Sequence, residues 1–169
     1  TQNPDEYLIY TFENLPDWLS FTNSSSGTYL SGTPTNLDVT ASHIITINVR
    51  DSEEASVNQI INLPVLNVND APSIVSNPKT MGVENTTYNY IVEIEDIDFE
   101  VDNLESLTIT ATLPSFLSST PSGSNKLEIK GKSLTEHVGN NYDIQINVSD
   151  RQGLTAVQDF DLVILNKKF

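Results

Sequence analysis

Ile45-Thr46-Ile47-Asn48-Val49-Arg50-Asp51 returns as Ile144-Gln145-Ile146-Asn147-Val148-Ser149-Asp150, a shift of 99 residues. In both copies aliphatic residues alternate with polar ones, the period of a strand with one face in a core and the other in water. Two further blocks keep nearly the same spacing. Leu15-Pro16-Asp17-Trp18-Leu19-Ser20 matches Leu113-Pro114-Ser115-Phe116-Leu117-Ser118 at a shift of 98, and Leu63-Pro64-Val65-Leu66-Asn67 matches Leu162-Val163-Ile164-Leu165-Asn166 at 99. A period held across three separate blocks means two copies of one unit, and the single change of register is what a loop insertion or deletion produces.

Between these blocks lie frequent breakers: Asn23-Ser24-Ser25-Ser26-Gly27, Ser31-Gly32-Thr33-Pro34, Pro121-Ser122-Gly123-Ser124 and Gly139-Asn140-Asn141. They leave room for short strands but for no long helix. The expected fold is all-β, two tandem seven-stranded Greek-key β-sandwiches spanning 1–70 and 71–169. The copies are unequal. The second begins near Ala71-Pro72 and reaches its Leu-Pro block only at Leu113, whereas the first reaches Leu15 almost at once. The first sandwich is therefore expected to lack its N-terminal strand and to expose an edge near Tyr7 to Phe12.

The formal charge is −15, from 23 acidic and 8 basic side chains. Arg50 is the only Lys or Arg before Lys79, and none follows until Lys126. Such a surface repels nucleic acid and anionic membranes, so its natural partners are cations. Recurrent alternating Ile, Val, Leu and aromatic residues distinguish the chain from a disordered acidic tail. With no cysteine, disulfide frameworks and thiolate metal sites are excluded. No stretch approaches the ~20 apolar residues of a membrane-spanning helix.

Enzymatic motifs are missing: there is no Gly-x-Ser-x-Gly elbow, phosphate-binding glycine loop or His-Glu-x-x-His. His43 precedes a strand and is expected to pack at its edge. Asn23-Ser24-Ser25, Asn85-Thr86-Thr87 and Asn147-Val148-Ser149 fit the glycosylation acceptor pattern, which matters only in a eukaryotic secretory pathway. Glu93, Glu95, Asp96, Asp98, Glu100, Asp102 and Glu105 crowd together with no base among them. Solvent or a cation must relieve their repulsion.

Leu15-Pro16-Asp17-Trp18-Leu19-Ser20-Phe21, Ser31-Gly32-Thr33-Pro34-Thr35-Asn36-Leu37-Asp38, Ile47-Asn48-Val49-Arg50-Asp51 and Val68-Asn69-Asp70-Ala71-Pro72 together resemble dystroglycan-type cadherin-like repeats of large surface proteins. The second copy diverges, with Phe116 in place of Trp18 and Lys130-Gly131-Lys132 in place of Ser31-Gly32-Thr33, while Val83-Glu84-Asn85 and Glu95-Asp96-Ile97-Asp98 look like its opening strands. Trp18 and Phe116 are expected to fill the cores, Gly32 and Gly131 to mark turns with an open φ, and Pro72 to punctuate the joint.

The resemblance also implies calcium at the joint, which takes six to eight oxygen ligands of mixed kind. It assigns Asn69 and Asp70 as linker ligands, Asp96 and Asp98 as an Asp-x-Asp pair and Asp150 as a later-strand ligand. Asn36 and Asp38 fall where the family has an Asp-Arg-Glu motif. Asn67, Ala71 and Asn36 depart from the usual residues, so the expectation is one or two Ca2+ ions at modest affinity. Asp5 and Asp51 would belong to a site at the other end of the first copy, and Glu84 would point to a further linker.

Two functions follow. One is a non-enzymatic, extracellular structural or adhesive repeat of a cell-surface protein, rigidified by calcium, with neighbouring repeats and homophilic or other surface-protein contacts as partners. The alternative is an accessory module binding a glycan or protein, which coplanar, exposed tyrosines among Tyr7, Tyr10, Tyr29, Tyr88, Tyr90 and Tyr142 would favour.

Overall fold

A computed structural model describes residues 7–100 and 106–168, the side chains of Ala41 and Glu100 excepted. The chain divides into two compact units, Thr1–Val68 and Asn69–Phe169. Asn69 and Asp70 thus belong to the second unit, two residues before the boundary expected from sequence. Among the described residues every regular element longer than a four-residue 3-10 turn is a strand, and no helix is long and apolar enough to cross a membrane.

The first unit holds β1 (Ile9–Glu13), β2 (Leu19–Ser24), β3 (Gly27–Gly32), β4 (Thr40–Arg50) and β5 (Ser56–Val65). β1, β4 and β5 form an antiparallel sheet in that order, and β2 and β3 form a separate hairpin. The alternation read in the sequence sets the register. Ile45 pairs with Ile61, and Ile47 lies between Phe12 and Gln59. Phe21 of β2 packs on Tyr10 and Phe12 with ring centroids 5.0 and 4.7 Å away, so aromatic contacts join the hairpin to the sheet.

The second unit holds β6 (Ser73–Ile74), β7 (Met81–Val83), β8 (Thr87–Glu95), β9 (Thr108–Thr112), β10 (Leu117–Pro121), β11 (Lys126–Lys132), β12 (Asn141–Ser149) and β13 (Thr155–Leu165). Its sheets run β10-β11-β8-β6 and β7-β13-β12-β9. β6 and β7 are two halves of one opening strand: the first pairs with β8, the second runs parallel to β13 in the other sheet. β8 buries every second residue, Tyr88, Tyr90, Val92 and Ile94, against Leu127, Ile129, Ile144, Ile146, Leu162 and Ile164. Each such burial contributes about 1.5–3 kcal/mol, enough to hold a sandwich without cross-links.

Set side by side, the units differ by more than one strand. β1 to β5 match β9 to β13, and among the described residues the first unit has no counterpart of β6, β7 or β8. The consequence is visible in burial. Ile146, Ile164 and Ile129 are fully buried, whereas their counterparts Ile47, Val65 and Leu30 are only half-buried. β1 does lie at a sheet edge, but so does its counterpart β9. The edge expected near Tyr7 to Phe12 is thus present, and among the described strands β3 and β5 each lack the neighbour that β11 and β13 have.

Candidate functional site

The second unit opens with Asn69-Asp70, and these two consecutive residues tie together the acidic side chains that the sequence singles out. The Asn69 side-chain amide donates to Asp150 Oδ2 at 2.7 Å, and Asn69 Oδ1 accepts from Gln152 Nε2 at 2.8 Å. The backbone N–H of Asp70 donates to Asp98 Oδ2 at 2.8 Å. Asp98 N–H in turn donates to Asp96 Oδ1 at 3.0 Å, inside the turn that ends β8 and leads into a 3-10 segment, Ile97–Glu100. Adjacent Cα atoms lie about 3.8 Å apart, so Asp98 and Asp150 are both fastened to one short stretch of chain.

These carboxylates are withdrawn from water: Asp98 is 0% exposed, Asp150 5% and Asp96 8%. Carboxylates are seldom buried without compensation, and here hydrogen bonds supply much of it. Burial pushes the Asp150 carboxyl up, but the Asn69 amide and the backbone N–H groups of Leu154, Gly153 and Gln152 outweigh that and hold it below its ordinary value. Every donor atom offered is oxygen, the chemistry of a hard cation such as calcium. Among the described residues, no three His, Asp or Glu side chains stand close enough to enclose a metal by themselves. An ion here would draw on amide and main-chain oxygens as well.

Asp150 has a second task that sequence reasoning missed. Its Oδ1 accepts from Gly153 N at 2.6 Å and Leu154 N at 2.9 Å, closing the β12–β13 hairpin. Asp51, its counterpart, does the same for the β4–β5 hairpin, with Oδ1 accepting from Glu53 N and Ala55 N at 2.9 Å each. The repeated Asp therefore has a structural role in both units. Only in the second does Asn69 occupy the other oxygen. Gln152 was also missed, since nothing in its sequence surroundings marks it.

Asp38 lies in the first unit and closes a turn there. Its Oδ2 accepts from the N–H and hydroxyl of Thr35 at 2.7 and 2.8 Å around the 3-10 segment Asn36–Asp38. Those bonds, the backbone one foremost, hold its carboxyl below the ordinary value. Glu84 is buried near the end of β7, and its Oε1 accepts from Lys167 N at 3.1 Å, fastening the chain after β13. Bonding to Thr135 and to Lys167 N–H holds its carboxyl low. Asp5, Asp102, Glu105 and the Glu100 side chain lie outside the described residues.

Two expectations need correction. Trp18 is half-buried rather than sealed in a core; it stands edge-on to His43 at 5.7 Å, and its Nε1 is buried with no hydrogen-bond partner among the described residues. Its counterpart Phe116 is likewise only partly buried, packed against the core of a unit that has β6, β7 and β8, so neither residue is sealed inside its sandwich. Gly32 and Gly131 are not at positive φ. They are required because a Cβ would collide with the carbonyls of Trp18 and Phe116. Tyr88 and Tyr90 are buried at 1% and 6%, so neither can join an exposed glycan-binding platform.

No protein-family model and no curated protein matches the sequence. Among solved structures, the chain is similar to extracellular cadherin domains 1-5 of Protocadherin Gamma B2, with a TM-score of 0.65, 15% identity, and coverage of 95% of this chain and 32% of that one. It is similar to domains 3-6 of the same protein, with a TM-score of 0.63, 14% identity, and coverage of 93% and 39%. A third similarity is to the endo-fucoidan hydrolase MfFcnA4 from glycoside hydrolase family 107, with a TM-score of 0.47, 24% identity, and coverage of 95% and 24%. The chain thus spans well under half the length of each. The protocadherin likeness is one of fold, and the chain has the all-β, cadherin-like sandwich architecture.

Proposed function

We infer that this chain is a non-enzymatic structural or adhesive repeat segment of a cell-surface or secreted protein, with calcium held where the second unit begins. The observation that carries this reading is that the consecutive Asn69 and Asp70 bond to buried Asp150 and Asp98, with Asp98 bonded in turn to buried Asp96. Ionised carboxylates withdrawn from water are costly, and a divalent cation bound beside them offsets that cost. Asp96, Asp98 and Asp150 would supply carboxylate oxygens, and Asn69 its amide oxygen. Asp38, committed to its own turn, is left out of this set. When bound, calcium neutralises the cluster and ties the entering chain to the turns after β8 and β12. A chain segment held in this way bends less, the property a projecting or load-bearing repeat needs. The cadherin-like fold and the tandem period support an extracellular array.

Calorimetry with calcium chloride tests the reading. A dissociation constant of about 0.1–1 mM is expected, the range of extracellular modules with few charged ligands. At 0.1 mM affinity and 1 mM calcium, the folded second unit gains about 1.4 kcal/mol. Asp98→Asn is expected to lose binding, and small-angle scattering is expected to narrow on adding calcium. An absence of binding heat up to about 10 mM calcium, with unchanged scattering, defeats the reading.

A further inference from the structure

A 3-10 turn, Thr135–His137, lies between β11 and β12, and His137 closes it with a ring nitrogen: the Leu134 N–H donates to His137 Nδ1 at 3.0 Å. We propose that His137 is a pH-sensitive latch, which holds this turn shut while its imidazole is neutral and releases it on taking up a proton. None of the residues assigned to calcium takes part.

The bond itself fixes the protonation state. A ring nitrogen accepts only through a lone pair, so with Nδ1 accepting, the neutral ring carries its hydrogen on Nε2. A second proton can bind only at Nδ1, and it turns that atom from acceptor to donor. Two N–H groups then face each other, and the Leu134 donor loses its partner. The ring has little freedom to avoid this. Its side chain is 14% exposed, stacked on Phe116 with centroids 4.1 Å apart and edge-on to Tyr142 at 5.9 Å. A rotation that hid the new donor would break those contacts.

Among the described residues, the titratable groups at the ring are Glu136 of its own turn, with Oε1 3.6 Å from Nε2, and Tyr142 of β12. Glu84, near the end of β7 with Lys167 beside it, bonds Thr135 of the same turn. The Glu136 carboxylate and the Phe116 face both favour a charged ring, and neither restores the lost acceptor. The turn also fastens its neighbours: Asn85 Nδ2 donates to Thr135 Oγ1 at 3.1 Å, and Ser133 Oγ donates to Val83 O at 2.7 Å. Opening the latch therefore loosens the hold on the segment between β7 and β8.

The equivalent turn of the first unit lacks this sensitivity. There Asp38 supplies the acceptor, and a carboxylate keeps its charge well below the range in which imidazoles titrate, about pH 6.5. His43, the other histidine, meets the Asp38 carbonyl oxygen through Nε2 at 2.8 Å, and a carbonyl only accepts. Proton uptake by His43 leaves that bond intact. Of the two turns, only that of the second unit opens between about pH 7 and 5.

Nuclear magnetic resonance on the full chain tests the latch. The nitrogen shifts of the His137 ring report its protonation. Protection of the Leu134 amide, corrected for the intrinsic pH dependence of exchange, reports the bond. The expected result is a ring protonated on Nε2 alone at about pH 7.5, with Leu134 protection falling about three- to tenfold as the ring takes up its second proton towards about pH 5. The Thr35 amide, capped by Asp38, is the internal control and is expected to keep its protection over that range. His137→Asp, which copies the first unit, is expected to make Leu134 equally insensitive. Should that variant misfold, the comparison with Thr35 in the unaltered chain still decides. The proposal is overturned by a ring that stays neutral down to about pH 5, by Leu134 protection that does not follow the ring's protonation, by a parallel loss at Thr35, or by the same loss in His137→Asp.

Discussion

Asp38 and His137 stand 99 residues apart, at the same place in the two units, and close the same turn with different atoms. Asp38 Oδ2 accepts the Thr35 N–H at 2.7 Å, and His137 Nδ1 accepts the Leu134 N–H at 3.0 Å. An acceptor three residues after the first residue of the turn satisfies an otherwise orphaned donor, whatever its charge. His137 adds packing: its ring stacks on Phe116 with centroids 4.1 Å apart. The site thus conserves geometry rather than residue type between the copies. This argues for a structural assignment of Asp38 and against a shared metal role.

Exchanging the residues tests that assignment. His137→Asp should keep the turn and lose only the ring packing, whereas His137→Ala should lose both and destabilise the second unit by about 1–2 kcal/mol. Denaturant unfolding of the two variants, monitored by tyrosine signal, separates the cases. Equal losses for Asp and Ala would show that the cap contributes nothing.

Glu54 sits at φ 72 in the β4–β5 hairpin, and Gly153 at φ 95 occupies the matching place in β12–β13. A side chain in the left-handed region costs about 1–2 kcal/mol, part of which glycine's greater freedom in the unfolded chain returns. Glu54→Gly should therefore raise the stability of the first unit by about 0.5–1 kcal/mol despite losing the exposed Arg50–Glu54 ion pair, worth little at such a surface. Gly153→Ala should lower that of the second. Differential scanning calorimetry reads both, and a lower midpoint for Glu54→Gly would contradict the account.

The unsealed first core predicts unequal penalties for matched truncations. Ile146→Ala empties a fully buried site and should cost about 2–5 kcal/mol, while Ile47→Ala at the half-buried counterpart should cost less. Trp18→Phe, which installs the residue found at position 116, removes a buried N–H without a partner among the described residues and should change stability by no more than about 1 kcal/mol. Equal losses at Ile47 and Ile146 in urea titrations would mean that the first core is closed in solution.

Stronger acid should loosen the hairpin end of the second unit. The Asp150 carboxyl is depressed in the folded state, so its stabilising contribution is complete above its ordinary value of 3.8 and is lost as pH falls through the lower folded value. Asp150→Asn keeps an acceptor oxygen but has no proton to gain. Its stability should therefore vary less than that of the parent below about pH 4. An identical pH profile for both, followed by circular dichroism, would remove Asp150 from the acid response.

Much of the fold was legible because a sandwich writes its burial into the chain with period two. Ile45, Ile47 and Val49, repeated as Ile144, Ile146 and Val148, pointed to strands and to two copies of one unit, while the cadherin-like class came from the resemblance carried by Leu15–Phe21, Ser31–Asp38, Ile47–Asp51 and Val68–Pro72 together. The adjacency of Asn69-Asp70 and the Asp96-x-Asp98 spacing marked the acidic end for the same reason: local spacing survives in sequence. What sequence could not determine were relations set by neighbours distant in the chain. Only the tertiary structure decided that Asp150 spends one oxygen on its own hairpin and the other on Asn69, because that bond spans residues brought together by sheet packing. Likewise, Leu30 and Val65 read as core residues from their place in the repeat, yet they are half-buried where Ile129 and Ile164, paired with β8 and β7, are sealed. A side chain's polarity is its own property. Its exposure belongs to whatever the fold lays against it.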